Sequence, residues 1–266
     1  MSERSFRFTH AIVRPPADSA TGGIRAVDTG APDIGLMRRH HADYVAALRA
    51  EGAEVTVLPA LSAYPDAQFV EDTALCLPEG AVVMRPGAAT RLGEAAEMAP
   101  VLRALYDQVV TIEGPGTIEG GDILVTETEI LVGRSARTNE AGIAELAERV
   151  AGWGYRVREL HTPPGVLHFK TDCSLLDAET ILSTPRLAAA GGFDKFRVLH
   201  TAEGEEAAAN SIRFNDAVIV PAGFPRTTDR LAAAGYKVVQ IGNSECAKLD
   251  GGMSCLSLRF SPPRKG

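Results

Sequence analysis

The sequence predicts an α/β fold: a propeller-like ring of five ββαβ modules, closed by pairing of the first and last strands. Three observations point to it. Short apolar runs of strand length alternate with helical stretches in one repeated order. Four copies of that order follow one another between residues 72 and 242. The two ends of the chain supply the pieces of a fifth. A ring joined in this way leaves no open array end. A conventional α/β sandwich with irregular strand order is the alternative that the pattern leaves open.

The elements follow in chain order. FRFTHAIVR (6–14) is a strand able to pair with SCLSLRF (254–260). The helix IGLMRRHHADYVAALRAEG (34–52) sets Ile34, Met37, Val45 and Leu48 near one face, and Gly52 suits its C-terminal cap. Its two histidines are expected to be partly exposed. EVTVLP (54–59) completes the split module. DTALCLPEGAVVMRPG (72–87), a helix around 92–106 and DQVVTIE (107–113) form the next. GDILVTETEILVG (121–133) reads as two strands about a polar turn. NEAGIAELAERVAGWG (139–154) follows, with Ile143, Leu146, Ala147 and Val150 at helical spacing, then YRVREL (155–160). DCSLLDAETILST (172–184), a short helical stretch and FRVLHT (196–201) repeat the order. So do NSIRFNDAVIVPAG (210–223), the helix TTDRLAAAG and YKVVQIG (236–242). The whole of 1–266 is expected to form one catalytic domain.

Composition narrows the function. A net charge of −7 argues against a nucleic-acid partner, which calls for a basic face. No apolar run approaches membrane-spanning length, and MSERSFRFTH lacks a signal-peptide core, so a cytoplasmic protein without membrane contact is expected. The four cysteines have no C-x-x-C spacing, and no cluster of metal ligands is visible. No metal or organic cofactor is expected.

In a ring, equivalent positions face one central hole. Cys255, Asp72, Glu119, His168 and Asn210 occupy equivalent module entrances. The plainer reading of Cys255 is a core thiol. Gly251 and Gly252, which permit sharp bending or close approach, and the neighbouring Asp250 favour a functional one. A thiol needs a histidine or cation nearby to act as a nucleophile near neutral pH, and His168 is the candidate. Glu119, ahead of two glycines, is placed to orient that ring and stabilise an imidazolium. GPGTIEGG does not fit a dinucleotide fingerprint, because its spacing differs and it leads into a hairpin. Asp66, Glu71 and Asp72 cluster around Phe69, a pattern suited to a planar guanidinium. Arg91 and Arg137 are able to hold a carboxylate by the same geometry.

PDAQFVED, RPGAATR, GTIEGGD, GRSARTN, LHFKT, AAANSI and KLDGGMSCLSLRF occur in that order over nearly the whole chain. Together they resemble the dimethylarginine dimethylaminohydrolases, in the guanidino-modifying superfamily with the pentein fold. The resemblance implies a small-molecule guanidino substrate, a nucleophile at Cys255, a general acid/base at His168 and the family's acidic residue at Glu119. It implies that Asp72 grips the guanidinium, with Asp66, Phe69 and Glu71 lining the same pocket. Arg91 and Arg137 match positions holding the amino-acid end. Leu249 matches an apolar contact beside the cysteine, and Ile24 falls in the family's mobile lid. A homodimer is a family-level expectation. Arginine deiminases, amidinotransferases and a non-catalytic propeller that binds a large assembly remain the rival readings.

Overall fold

The computed structural model describes residues 4–262. The first part of the split module comprises β1 (His10–Val13), α1 (Ile34–Ala50) and β2 (Glu54–Val57). The next module has β3 (Ala74–Leu77), β4 (Gly80–Val83), α2 (Leu92–Leu105) and β5 (Val109–Thr111). Then come β6 (Ile123–Val125), β7 (Ile130–Arg134), α3 (Glu140–Ala151) and β8 (Val157–His161). The fourth run is β9 (Cys173–Leu175), β10 (Thr180–Ser183), α4 (Pro185–Ala189) and β11 (Arg197–His200). The fifth is β12 (Ile212–Phe214), β13 (Ala217–Pro221), α5 (Pro225–Ala233) and β14 (Lys237–Ile241). A short α6 (Ser244–Ala247) leads to β15 (Leu258–Phe260).

These strands make five three-stranded sheets among the described residues. In each, the middle strand is antiparallel to one neighbour and parallel to the other, as ββαβ order requires. The seam is a regular sheet. Ile12 of β1 lies opposite Leu258 of β15, and His10 opposite Phe260, while β1 runs parallel to β2. The predicted pairing of the chain ends is therefore observed.

The helices bind neighbouring sheets together. On α2, Met98 and Leu102 pack against Val83 of their own module and against Ile12, Leu258 and Phe260 of the seam sheet. On α3, Ile143, Leu146 and Val150 lie between Val132 and the preceding sheet's Val82. Leu231 of α5 likewise touches the groups around Val218 and Leu182. Burying each such leucine stabilises the ring by about 1.5–3 kcal/mol, and the gain links two blades, not one. Asp33 caps α1 by accepting from the Leu36 N–H, and Gly52 beyond its C-terminus has φ +91°. His41 departs from the sequence expectation: it is buried, and burial lowers its pKa to about 4. No helix among the described residues is long and apolar enough to cross a membrane.

A single 3-10 turn stands just ahead of the inner strand of every sheet, and these turns position the functional side chains. They are Val70–Thr73, Gly120–Asp122, Phe169–Thr171, Glu206–Ala209 and Ser254–Leu256. Cys255 thus lies within a turn and not at the start of a strand, as the sequence suggested.

Candidate active site

Five turns around one axis carry their polar residues to the same place. Cys255, His168 and Asp72 line one pocket with Arg91 and Arg137, and Glu119 lies just behind His168. The cavity is about 30 Å³, room for about one water molecule.

The imidazole and carboxylate form its firmest pair. His168 Nε2 lies 2.6 Å from Glu119 Oε2. The other Glu119 oxygen accepts from the Gly87 and Ala88 N–H groups at 2.9 and 3.3 Å and faces Arg137 Nη1 at 3.4 Å. Burial alone would raise the Glu119 pKa, but the bonded His168, with the charges of Arg91 and Arg137, outweighs it and holds the value at about 2. For His168, burial opposes the charge, while Asp72, Asp122 and Glu119 favour it more strongly and lift the pKa to about 9. The pair is therefore an imidazolium and a carboxylate at neutral pH.

Cys255 is 8 % exposed. Its sulfur accepts from the Gly252 N–H at 3.5 Å and from Asn210 Nδ2 at 3.8 Å. Burial, then the charges of Glu71 and Asp72, push its pKa up to about 11, against the pull of those two donors. The resting group is a thiol. A cation entering the pocket would reverse this balance.

The two glycines before it act through close approach. Neither has a positive φ; Asp250 does, at +57°. A Cβ on Gly251 would stand 2.4 Å from the Phe69 ring, and one on Gly252 2.1 Å from Asn210 Cγ. Asn210 also accepts from the Ser254 N–H at 3.0 Å, so it grips the cysteine turn from both sides. Gly252→Ala is expected to cost about 1–3 kcal/mol through this overlap and to raise the thiol pKa, read by denaturation and thiolate absorbance.

The carboxylates differ in setting. Asp72 is buried, accepting from the Gly121 N–H at 2.8 Å and from Arg91 Nη1 at 2.6 Å. Asp66 accepts from the Ile24 N–H with both oxygens, at 3.1 and 3.2 Å. Burial raises its pKa against the pull of Arg91 and that N–H. Asp66, Phe69, Leu249 and Ile24 all lie on the pocket wall, as expected. Glu71 does not. Its Oε1 is held by Lys170 Nζ at 2.5 Å and Arg259 Nη2 at 2.6 Å, behind the pocket. Three carboxylates on one small wall would repel, and the two buried cations draw Glu71 to the other side.

The arginines are also unequal. Arg91 is buried, and its donors go to Asp72, Glu94 and the Phe69 carbonyl, leaving one Nη1 hydrogen uncommitted among the described residues. Among the described residues, Arg137 makes only its long contact to Glu119 through the side chain, so it has more capacity for a carboxylate. Asp72, Glu119 and His168, which the module order sets around one hole, bring one ligand atom each within 4.8 Å of one another. Arg91 on Asp72 already supplies positive charge there.

The segment around Ile24 closes the pocket. Besides Asp66, it is tied by the Ala26 N–H donating to Asp250 Oδ2 at 2.6 Å.

Known proteins share this arrangement of chain. The arginine deiminase family model matches residues 60–220. An N(G),N(G)-dimethylarginine dimethylaminohydrolase of Pseudomonas aeruginosa is 37 % identical, covering 95 % of this chain and all of its own. The chain belongs to the dimethylarginine dimethylaminohydrolase family. A Streptomyces coelicolor member is 32 % identical, over 94 % of this chain and 96 % of its own. A Pseudomonas aeruginosa structure, a cysteine-to-serine mutant complexed with citrulline, superposes with a TM-score of 0.93 at 36 % identity, over 96 % of this chain and all of that one. The pentein fold expected of the family is therefore that of this chain.

Three residues around the pocket escaped the sequence reading as site residues. Asn210 was placed at the hole but given no role. Asp122 accepts from the Phe169 N–H at 2.8 Å and from Ser135 Oγ at 2.7 Å, fixing the turn that carries His168. Asp250 holds the closing segment. The Gly-Gly-Asp and Asp-Gly-Gly runs were the available signals, since backbone packed that tightly needs acceptors for its N–H groups.

Proposed function

We propose that this chain hydrolyses asymmetric dimethylarginine and monomethylarginine to citrulline, releasing dimethylamine or methylamine. The observation that carries this reading is a thiol, the imidazolium of a His168–Glu119 pair and the carboxylates of Asp72 and Asp66 around one pocket, in a chain of this family.

The guanidinium carbon is a weak electrophile, because its charge is shared over three nitrogens. Covalent catalysis divides the difficulty into two steps. Cys255 sulfur attacks as thiolate, forming a C–S bond and a tetrahedral adduct. The adduct collapses by C–N cleavage, and the His168 imidazolium gives its proton to the departing amine. Water then adds to the thiouronium carbon with His168 as base. The C–S bond breaks, and citrulline leaves. Asp72 and Asp66 hold the guanidinium; Arg137, with the remaining Arg91 N–H, holds the substrate carboxylate.

Substrate binding helps form the thiolate. A guanidinium about 4 Å from sulfur, at an effective dielectric of about 20, attracts it by about 4 kcal/mol. In the free enzyme the reactive form has sulfur ionised and His168 protonated. With the thiol near 11 and the imidazole near 9, its population rises about tenfold per pH unit up to about 9 and is level up to about 11. The profile of kcat/KM against pH is expected to follow that shape. A profile already flat from pH 7 would mean that one member of the pair, sulfur or imidazole, titrates at or below 7.

The reaction is tested by incubating the protein with asymmetric dimethylarginine, monomethylarginine and arginine, measuring citrulline and the released amine separately. Dimethylamine and citrulline in equal amounts are expected. Ammonia from arginine as the dominant product would make it a deiminase.

A further inference from the structure

Of the five turns around the axis, the one at Glu206–Ala209 brings the site an amide where the others bring titratable groups. The amide is that of Asn210, at the C-terminal end of the turn. Asn210 is buried and, among the described residues, does not line the cysteine cavity. Neither does Gly252. Both donors to the sulfur therefore approach it from the protein side, and its face towards the cavity stays open for a substrate carbon.

The orientation of the amide is fixed. The Ser254 N–H donates to Oδ1 at 3.0 Å, so the amino group is the end left for Cys255 Sγ at 3.8 Å. An inverted amide would set Oδ1 against the sulfur and oppose two donors at Ser254. The Asn210 carbonyl accepts from the Met253 N–H at 3.2 Å, which holds the backbone as well. Gly252 lies against the amide group: a Cβ there would stand 2.1 Å from Cγ, 2.3 Å from Nδ2 and 2.5 Å from Oδ1.

The residue type has a physical reason. A thiol sulfur is a weak acceptor, whereas hydrogen bonds to an ionised acceptor are short and strong. Contacts of 3.5 and 3.8 Å therefore gain most once the proton has left. The acids facing the sulfur work the other way: Glu71 and Asp72 raise its pKa. Cys246 of α6 is near enough to add to them if ionised, but burial lifts its own pKa to about 12. The His168 imidazolium lines the same cavity. A lysine at the place of Asn210 would also favour the thiolate, but its charge would repel an incoming guanidinium. An amide supplies the donor without the charge.

We propose that Asn210 is a catalytic residue that stabilises the Cys255 thiolate, forming with the Gly252 N–H an anion cradle for the sulfur. The inference rests on the nucleophilic role given to Cys255 above. The cradle acts twice. It meets the charge when the sulfur loses its proton before attack, and again when the C–S bond breaks and its electron pair returns to the sulfur.

Thiolate absorbance without substrate tests this, each protein being read against its own Cys255→Ser counterpart between about pH 8 and 11. Asn210→Ala is expected to raise the thiol pKa by about one unit, an about tenfold loss of thiolate below that range. Asn210→Asp keeps the acceptor for the Ser254 N–H and sets an oxygen beside the sulfur, so it should raise the pKa at least as far. A role confined to holding the turn predicts the opposite sign for Asn210→Ala. A loosened turn would hydrate the sulfur, and burial is the largest influence holding its pKa up. With asymmetric dimethylarginine, Asn210→Ala should lower kcat/KM by about threefold at neutral pH, because a thiolate about tenfold rarer is about threefold more nucleophilic. An unchanged or lowered thiol pKa in either variant, or a kcat/KM in Asn210→Ala equal to the parent's, would overturn the proposal. The absorbance is read without turnover, so failure of the cradle and failure of the methylarginine assay are distinguishable.

Discussion

Cys255→Ala is expected to lower citrulline formation from asymmetric dimethylarginine by about four orders of magnitude or more. Removing a covalent nucleophile eliminates the route itself, and the groups left behind act only by binding and polarisation. The fold should survive. Alanine keeps the turn, removes one sulfur from a small pocket, and leaves Asn210 bound to the Ser254 N–H. Denaturation should therefore show a loss within about 1–2 kcal/mol. Rapid-quench analysis adds a second readout, since no protein-bound adduct should form. A Cys255→Ala variant that still turned over at a tenth of the parent rate would remove sulfur from the chemistry.

Glu119→Gln is expected to affect both rate and stability. Glutamine keeps the shape but not the charge that faces the His168 ring. The imidazole pKa should fall from about 9 towards or below its usual 6.5, because burial is then opposed only by Asp72 and Asp122. The acid that protonates the departing amine is then depleted at neutral pH, and kcat should fall by about 10²–10⁴. Breaking a buried pair costs about 3–5 kcal/mol. The pH dependence has a defined sign. The raised His168 value stabilises the parent fully below about 6.5, and this is lost as pH rises through about 9. The depressed Glu119 value stabilises it above about 4.5, and this is lost as pH falls through about 2. Urea denaturation should thus show the largest difference between parent and variant near pH 5–6, shrinking by pH 10. A difference constant across that range would mean that the pair is not ionic.

Much of this was legible before the structure. Strand runs such as GDILVTETEILVG carry a period of two, helices such as NEAGIAELAERVAGWG one of 3.6, and their fixed order repeats. That order placed Cys255, His168, Glu119 and Asp72 at matching entrances. The turns that hold them left no trace, because a single 3-10 turn is shorter than any period it could display. The direction of Glu71 was equally hidden. Glu71 and Asp72 are adjacent, yet they point to different sides of the pocket wall, and only Lys170 and Arg259, about 100 and 190 residues away, decide which. Arg91 resembled a free clamp in sequence, whereas Glu94 one helical turn on takes two of its nitrogens. The glycines of 251–252 signalled tightness correctly, but their partners Phe69 and Asn210 come from other blades.

Each reacting group hangs from its own sheet, and the helices glue every sheet to its neighbour. No blade is therefore an enzyme in miniature. Errors of aim accumulate around the circle and meet at its centre, so a repacked leucine on the outer rim is felt by the sulfur much as a change beside it would be. Such a molecule has little room to become sloppy in one sector while staying sharp in another: its rigidity and its chemistry are a single property, shared equally among five parts.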